Sequence, residues 1–479
     1  MLTFAPSRKL AYRGFAWLAA ALMLLGLTKN AHAEERVAFE YDPYRVTIWV
    51  AADASAQVPL SLASELAWQL QRDTDQVFDA AWEVQSSVCP APLQQRVAQQ
   101  LEQLTVESLR AEQPELLDND KLLLVACLAS ETGGWRIGVR ELDCRSRTFG
   151  EAVYRDVSQR ENLPGAALSA LVQAFAPIVR IELVDANKAV TRLRAGGLVS
   201  DDSPAAVAAG ELLQPVIRRN DRSGEPRAGG FQRLPFTFLE VQKREAHRVE
   251  CLIHTGVRDA VAGRSGRTER LALRVRPDPR GTRLVLKALG EPGSPLVEYE
   301  VLTRAPRKEA ELAPLGQSDW QGAIELPLGE QPLQFVYVRH GSMMLARVPI
   351  VPGLVREQTL TLVNDDLRLL AESYFLAVQN NVMDLVARRE LLAARIRLRV
   401  EEKDLTTAER MLVELRALTS RSELLRQIEL QQVSYETSDK RLQAKIDKMF
   451  AELRKLLARH LNPRLIDEVT EEVQAAKKA

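Results

Sequence analysis

The chain has 479 residues, 46% hydrophobic and 27% charged, with 64 basic against 64 acidic side chains. This is the balance of globular material able to bury cores, and it excludes a low-complexity or wholly disordered chain. It also supplies no net positive field to gather nucleic acid or an anionic membrane surface.

In chain order, Arg8, Lys9 and Arg13 precede the apolar run GFAWLAAALMLLGL from Gly14 to Leu27, and Ala31-His32-Ala33 offers the small residues of a cleavage site. These features predict a signal peptide over residues 1–33, cut between Ala33 and Glu34, and a periplasmic or extracellular destination. A retained anchor is the alternative, but the run is about 14 residues against the ~20 needed to span a bilayer. No later run is as long, so no integral membrane segment is expected after cleavage. Cleavage would leave 60 basic against 64 acidic residues, a net charge of −4. In an oxidising compartment Cys89, Cys127, Cys144 and Cys251 are disulfide candidates, with buried free thiols the alternative.

Residues 34–200 predict an α/β sandwich domain of α+β order. RVTIWVAA reads as a strand, and SLASELAWQLQRDTDQVF and PLQQRVAQQLEQLTVESLRA as two helices with apolar residues at three and four spacing. KLLLVACLA and WRIGVREL read as a hairpin around Gly133-Gly134 that sets Cys127 opposite Ile137 to Val139. EAVYRDV, the helix PGAALSALVQAFA, then IVRIELV and AVTRLRA around Asp185 to Lys188 complete a mostly antiparallel sheet faced by helices.

Residues 201–250 predict a small β linker domain, in which LLQPVIRR and LPFTFLEVQ are strands joined by the loop NDRSGEPRAGG. A phosphate cradle there would need a lysine after its second glycine and a following helix. Neither is present, so the loop reads as a turn with solvated arginines.

Residues 251–356 predict a β-sandwich, because RLALRVRP, TRLVLKAL, LVEYEVLTR, GAIELPL, LQFVYVRHG and SMMLARVPI alternate at regular intervals. Gly341-Ser342 marks a tight hairpin between the last two. Within this region LGQSDWQGAIELP, through Ser318, Asp319, Gly322, Ile324 and Leu326, resembles the turn-plus-strand of transthyretin-like and carboxypeptidase-regulatory-like modules. That resemblance implies a sandwich of the kind that generally serves structure or interaction, and it implies no activity.

Residues 357–479 predict a helical bundle or coiled coil. Thr406 with Glu409, and Ser420 with Glu423, read as helix starts, and Asn462-Pro463 opens a closing helix. One long helix is expected from Ser420, with a stripe of Leu425, Ile428, Gln432, Tyr435, Asp439, Leu442, Ile446, Met449, Leu453, Leu456 and His460. It is a heptad pattern weakened at Gln432 and Asp439.

The chemistry of sites is sparse. There is no G-x-S-x-G, and GRSGR around Ser265 lacks the surroundings of a nucleophile elbow. HRVECLIH places His247 and Cys251 on one strand face and His254 on the other, so zinc is not expected. His340 reads as an exposed residue of a hairpin tip. The pairs Asp201-Asp202 and Asp365-Asp366 read as helix or turn caps before glycosidase acids. Trp320 is the one candidate contact residue, for sugar stacking, with packing onto its own sandwich as the plainer account. No catalytic residue, metal or cofactor is predicted.

PVIRRNDRSGEP and LARVPIVPGL are similar to segments of uncharacterised exported multidomain proteins of planctomycete-type bacteria, a resemblance that implies no assigned activity. The expectation is a multidomain, non-enzymatic structural or interaction protein of the cell envelope, with a protein partner or self-association through the C-terminal helices. A carbohydrate-binding envelope module and a hydrolase of unrecognised type are the alternatives.

Overall fold

The computed structural model describes residues 37–478 apart from 54–58, 60, 131–132, 258–260, 262–265, 291–292 and 308. The expected signal peptide with its Ala33–Glu34 junction, and Ser265, lie outside the described residues. The architecture is multidomain α+β, and the chain divides into two compact units between Asp278 and Pro279.

In the first unit β1 (Tyr44–Ala52) leads through α1 (Ser61–Phe78) to β2 (Trp82–Val88), which leads through α2 (Ala91–Gln99) and α3 (Val106–Glu112) to β3 (Lys121–Ala129). β1 lies between β2 and β3 and is parallel to both. β4 (Trp135–Asp143) returns antiparallel to β3 with Cys127 opposite Ile137, and β5 (Thr148–Phe149) and β6 (Val153–Val157) pair with β4. Half of this sheet is therefore parallel, where the sequence led us to expect a mostly antiparallel one. Crossover helices make the difference: α1 packs on one face with α4 (Leu163–Ala174), and α2 and α3 pack on the other. Val46, Ile48, Leu123 and Val125 meet Leu66 and Leu70 of α1, while Trp49, Leu122 and Leu124 meet Leu93 and Val97 of α2. A strand covered on both faces needs no polar alternation, which is why β3 is a continuous apolar run. The expected single helix beyond Pro92 is broken: the chain leaves α2 at Gln100, and Thr105 and Ser108 form a capping box that starts α3.

The same unit holds a second, seven-stranded sheet. β7 (Ile178–Asp185), β8 (Lys188–Leu193), β9 (Leu212–Asn220), β10 (Pro226–Arg233), β11 (Thr237–Glu245), β12 (Arg248–Thr255) and β13 (Thr268–Arg274) run in the order β10-β9-β11-β12-β8-β7-β13. β13 also pairs with β9, so β9, β11, β12, β8, β7 and β13 close into a ring. Closure leaves those six strands without a free edge. Side chains alternate across the wall. Val179, Leu213, Val241, Cys251 and Ala272 fill the interior, while Ile178, Val216, Leu271 and Leu273 point outward into the core beneath α1 and α4. The compositional boundaries at 200 and 250 fall inside this ring. RLALRVRP, grouped by its alternation with the later strands, is β13 and belongs here. RAGG of the arginine-rich stretch is β10, paired to β9 across a bulge.

In the second unit β14 (Thr282–Ala288), β15 (Glu300–Arg304), β16 (Ala313–Gln317), β17 (Ala323–Leu326), β18 (Gln334–His340), β19 (Met343–Ile350) and β20 (Glu357–Leu362) form two sheets, β17-β14-β20 and β16-β15-β18-β19. At the SDWQG turn Asp319 Oδ1 accepts from the amides of Gln321 and Ala323, and Gly322 takes φ +72°.

The helices of this unit assemble on α5 (Asp366–Glu401), 36 residues and about 54 Å long. α6 (Leu405–Ala417), α7 (Arg421–Val433), α8 (Lys440–His460) and α9 (Arg464–Lys478) follow. The N-terminal half of α5 packs Val378, Val382 and Leu385 against Leu424, Ile428, Ile446, Phe450 and Leu457 of α7 and α8. Its C-terminal half packs Ala393 and Ile396 against Leu412 and Leu415 of α6 and Val469 and Val473 of α9. The expected unbroken helix from Ser420 is two helices. Asp439 is the N-cap of α8, accepting from the amides of Arg441 and Leu442, so the polar residue that weakened the stripe marks a helix start. Ser420 caps α7 as expected, whereas α6 is capped by Asp404, not Thr406.

Candidate functional site

The densest cluster of ionisable groups lies in the first unit at the start of β3. Lys121 has no exposure, and its Nζ sits 2.7 Å from Glu141, 2.8 Å from Asp143 and 2.6 Å from the Ala176 carbonyl. Tyr44 and Phe175 place their rings within 6 Å of the same ammonium. Glu141 also accepts from the Ala176 amide, and Asp143 from the Ser146 amide. Burial opposes charge on Lys121, but Asp143 and Glu141 outweigh it and raise the lysine above its ordinary value. A lysine held charged cannot act as a nucleophile or base near neutrality. Beside it Arg194 grips Asp120 with two hydrogen bonds, and Tyr44 Oη accepts from the Ile178 amide. Strands of the first sheet are thus tied to the ring through charges that satisfy one another.

A second cluster joins the β18–β19 hairpin to the start of α5. His340, expected at an exposed tip, is buried, its ring stacked 4.1 Å from Tyr299 at 7°. Tyr299 Oη donates to Asp366 at 3.1 Å and accepts from the Asp365 amide at 2.9 Å. Asp365 was expected to cap a helix. It stands at the N-cap position but makes no cap bond; both its oxygens take hydrogen bonds from Arg368, which also donates to the His340 carbonyl. His340 Nδ1 is 3.7 Å from Asp365 and has no hydrogen-bond partner among the described residues. That distance is beyond the ~2.6–3.2 Å of a working acid–base pair. Ser342 donates to Glu372. The group fastens a hairpin to a helix.

The arginine-rich hairpin tip is also closed. Asp221 Oδ1 accepts from the Ser223 hydroxyl and from the amides of Ser223 and Glu225. A carboxylate of the chain occupies the place an external anion would take. On β12, Cys251 faces the ring interior and His254 pairs with Glu240 at 2.7 Å, while His247 precedes the strand. Among the described residues no three His, Cys, Asp or Glu side chains gather as a metal site.

The four cysteines are free and buried, and they are dispersed. Cys127 lies on the α1 side of the first sheet, Cys89 and Cys144 on the α2 side, and Cys251 inside the ring. Burial pushes the Cys89 thiol up to about 12 and those of Cys127 and Cys251 to about 11, and it raises Cys144 as well.

Trp320 is 75% exposed, so it does not pack onto its own sandwich. A cavity of about 770 Å³ opens between the β15–β16 and β17–β18 connections, lined by Arg304, Arg307, Glu309, Glu311, Glu330 and Gln331 among others. Among the described residues its lining includes no aromatic side chain and not Trp320. A further surface feature, not anticipated from the sequence, lies on α5 among the described residues. On α5, Leu376, Met383, Leu391 and Leu398 are 50–54% exposed and share the face turned away from α6, α7, α8 and α9. Apolar residues run round this helix, so the stripe that serves the bundle and the row that faces solvent overlap in the sequence.

No helix among the described residues is long and apolar enough to cross a membrane. No protein-family model matches the chain, and no curated protein sequence does. Among solved structures, the crystal structure of TolB from Acinetobacter baumannii aligns with 67% of this chain and 98% of its own at 11% identity and TM-score 0.19. Such values support no conclusion about fold or function.

Proposed function

We propose that the chain is an exported, non-catalytic protein of the cell envelope that works by binding polypeptides through its C-terminal helices. The reading is supported by the export signal expected over residues 1–33 and by the internal partners that take up the charges of the Lys121 and Asp221 clusters. The observation that carries it is the solvent-facing apolar row of α5, because a soluble surface seldom keeps aligned large apolar groups without a partner. The test is cross-linking in the native envelope with the wild-type chain and with Met383→Lys/Leu391→Lys. Adducts formed by the first and lost in the second support the reading; identical adducts from both remove α5 from it. Deletion of residues 421–479 is a poor test, since it would strip the partners of Val378, Val382 and Leu385.

A carbohydrate-binding reading is favoured by one observation, the exposure of Trp320, since flat aromatic faces stack on sugars. Glycan-array binding abolished in Trp320→Ala would support it, and a blank array with the wild-type chain would remove it.

A further inference from the structure

β2 is the outer strand of the first sheet, and among the described residues no strand lies beyond it. An uncovered edge offers a row of backbone groups to any extended chain, and proteins blunt such edges with proline, lysine, bulges or very short strands. The opposite edge of this sheet uses the last device, since β5 has two residues and β6 five, both paired to β4. β2 uses none of these. WEVQSSV holds no proline and no lysine, and its register with β1 runs unbroken from Tyr44 opposite Trp82 to Val50 opposite Val88.

Helix α1 supplies the cover instead. The side-chain amide of Gln71 donates to the Val84 carbonyl at 3.1 Å, and its oxygen accepts from the Ser86 amide at 2.8 Å. The Cys89 amide points inward to the Val50 carbonyl, so the two-residue period of the strand turns the backbone groups of Val84, Ser86 and Val88 outward. One residue of a parallel neighbouring strand would make the same two bonds, donating to one carbonyl and accepting from the amide two residues on. The Gln71 carboxamide stands where that residue would be. A second contact holds it there: Phe78, two turns further along α1, stacks its ring 3.5 Å from that of Trp82 at 9°. Seven helical residues rise about 10.5 Å, and the three strand residues from Trp82 to Gln85 span about 10 Å, so one helix lying along the strand meets both contacts. We propose that Gln71 is a plug that closes the β2 edge to strand addition, and that without it two copies of this chain pair through β2.

Gln71→Leu keeps the bulk of the side chain and removes both bonds. In sedimentation velocity of the full chain it is expected to show a concentration-dependent doubling of mass over wild type. Association stops there, because each chain offers one β2 edge and a two-fold pairing uses both. Gln71→Leu/Ser86→Pro should return to the wild-type mass, since proline at 86 removes an outward donor and costs no bond to β1. Amide exchange tests the plug in the wild-type chain itself. Relative to its intrinsic rate, the Ser86 amide should exchange at least about fivefold more slowly than the outward amide of Val88, the worth of one hydrogen bond. A Gln71→Leu chain that keeps the wild-type mass at every concentration, a gain in mass that survives Ser86→Pro, or a wild-type Ser86 amide as labile as that of Val88 would overturn the proposal. Should Gln71→Leu not fold, the exchange comparison decides.

Discussion

Lys121 and Glu141 meet 2.7 Å apart with both side chains almost wholly out of solvent. Asp143 completes the group from the same strand as Glu141. Removing the cation alone would leave two carboxylates buried without compensation. Lys121→Met is therefore expected to cost about 3–5 kcal/mol, read from urea denaturation. Neutralising the acids as well, in Lys121→Met/Glu141→Gln/Asp143→Asn, should recover much of the loss, because the new side chains can still accept from the Ala176 and Ser146 amides. An unchanged midpoint for Lys121→Met would show that the group does not hold the fold.

Gly322 and Gly224 both take positive φ, +72° and +92°, but their surroundings differ. A Cβ at Gly322 would come within 2.4 Å of the Leu286 carbonyl oxygen, whereas one at Gly224 would meet open space. Gly224→Ala should cost only the left-handed backbone penalty of about 1–2 kcal/mol. Gly322→Ala must also displace backbone, and its thermal midpoint should fall clearly further. Equal losses in the two variants would contradict the close approach.

The Asp439 carboxylate is held below its ordinary value by the Leu442 and Arg441 amides at the start of α8. A carboxylate with a depressed folded-state value contributes stability above its unfolded value, and that contribution is lost as pH falls through the folded one. Wild type should therefore melt higher than Asp439→Ala at neutral pH, and the gap should close on acidification below the usual carboxylate range. A gap independent of pH would point to packing instead of capping.

Because Trp320 is so exposed, Trp320→Ala should change stability by no more than about 0.5 kcal/mol in chemical denaturation. A loss above that would show a packing role in solution and would undercut its use as a contact residue.

Burial raises all four thiols, so none should react with a thiol reagent in the native state at pH 8, and all four should react once the chain is denatured without reductant. Fewer than four reactive thiols after denaturation would reveal a disulfide.

By itself the sequence determined much of what depends on residues close in the chain, although the Asp404 cap of α6 and the helix start at Asp439 lay among competing local signals. The bounds of α1 at Ser61 and Phe78, the hairpin that sets Cys127 opposite Ile137, and the Ser420 cap all follow from periodicity and turn chemistry within a few residues. What only the tertiary structure decided are the choices between distant partners. β13 alternates like a sandwich strand, and nothing in its own residues says that Leu271 will pair with both Arg180 and Val216 to close a ring. His340 looked like a solvent-facing tip until Tyr299 and Arg368 covered it. On α5 the faces could not be told apart locally, since leucine serves both, and the packing of α7 and α8 left the row through Met383 and Leu391 outside. Propensity and spacing act over one or two turns of chain, whereas burial depends on which surfaces arrive from elsewhere.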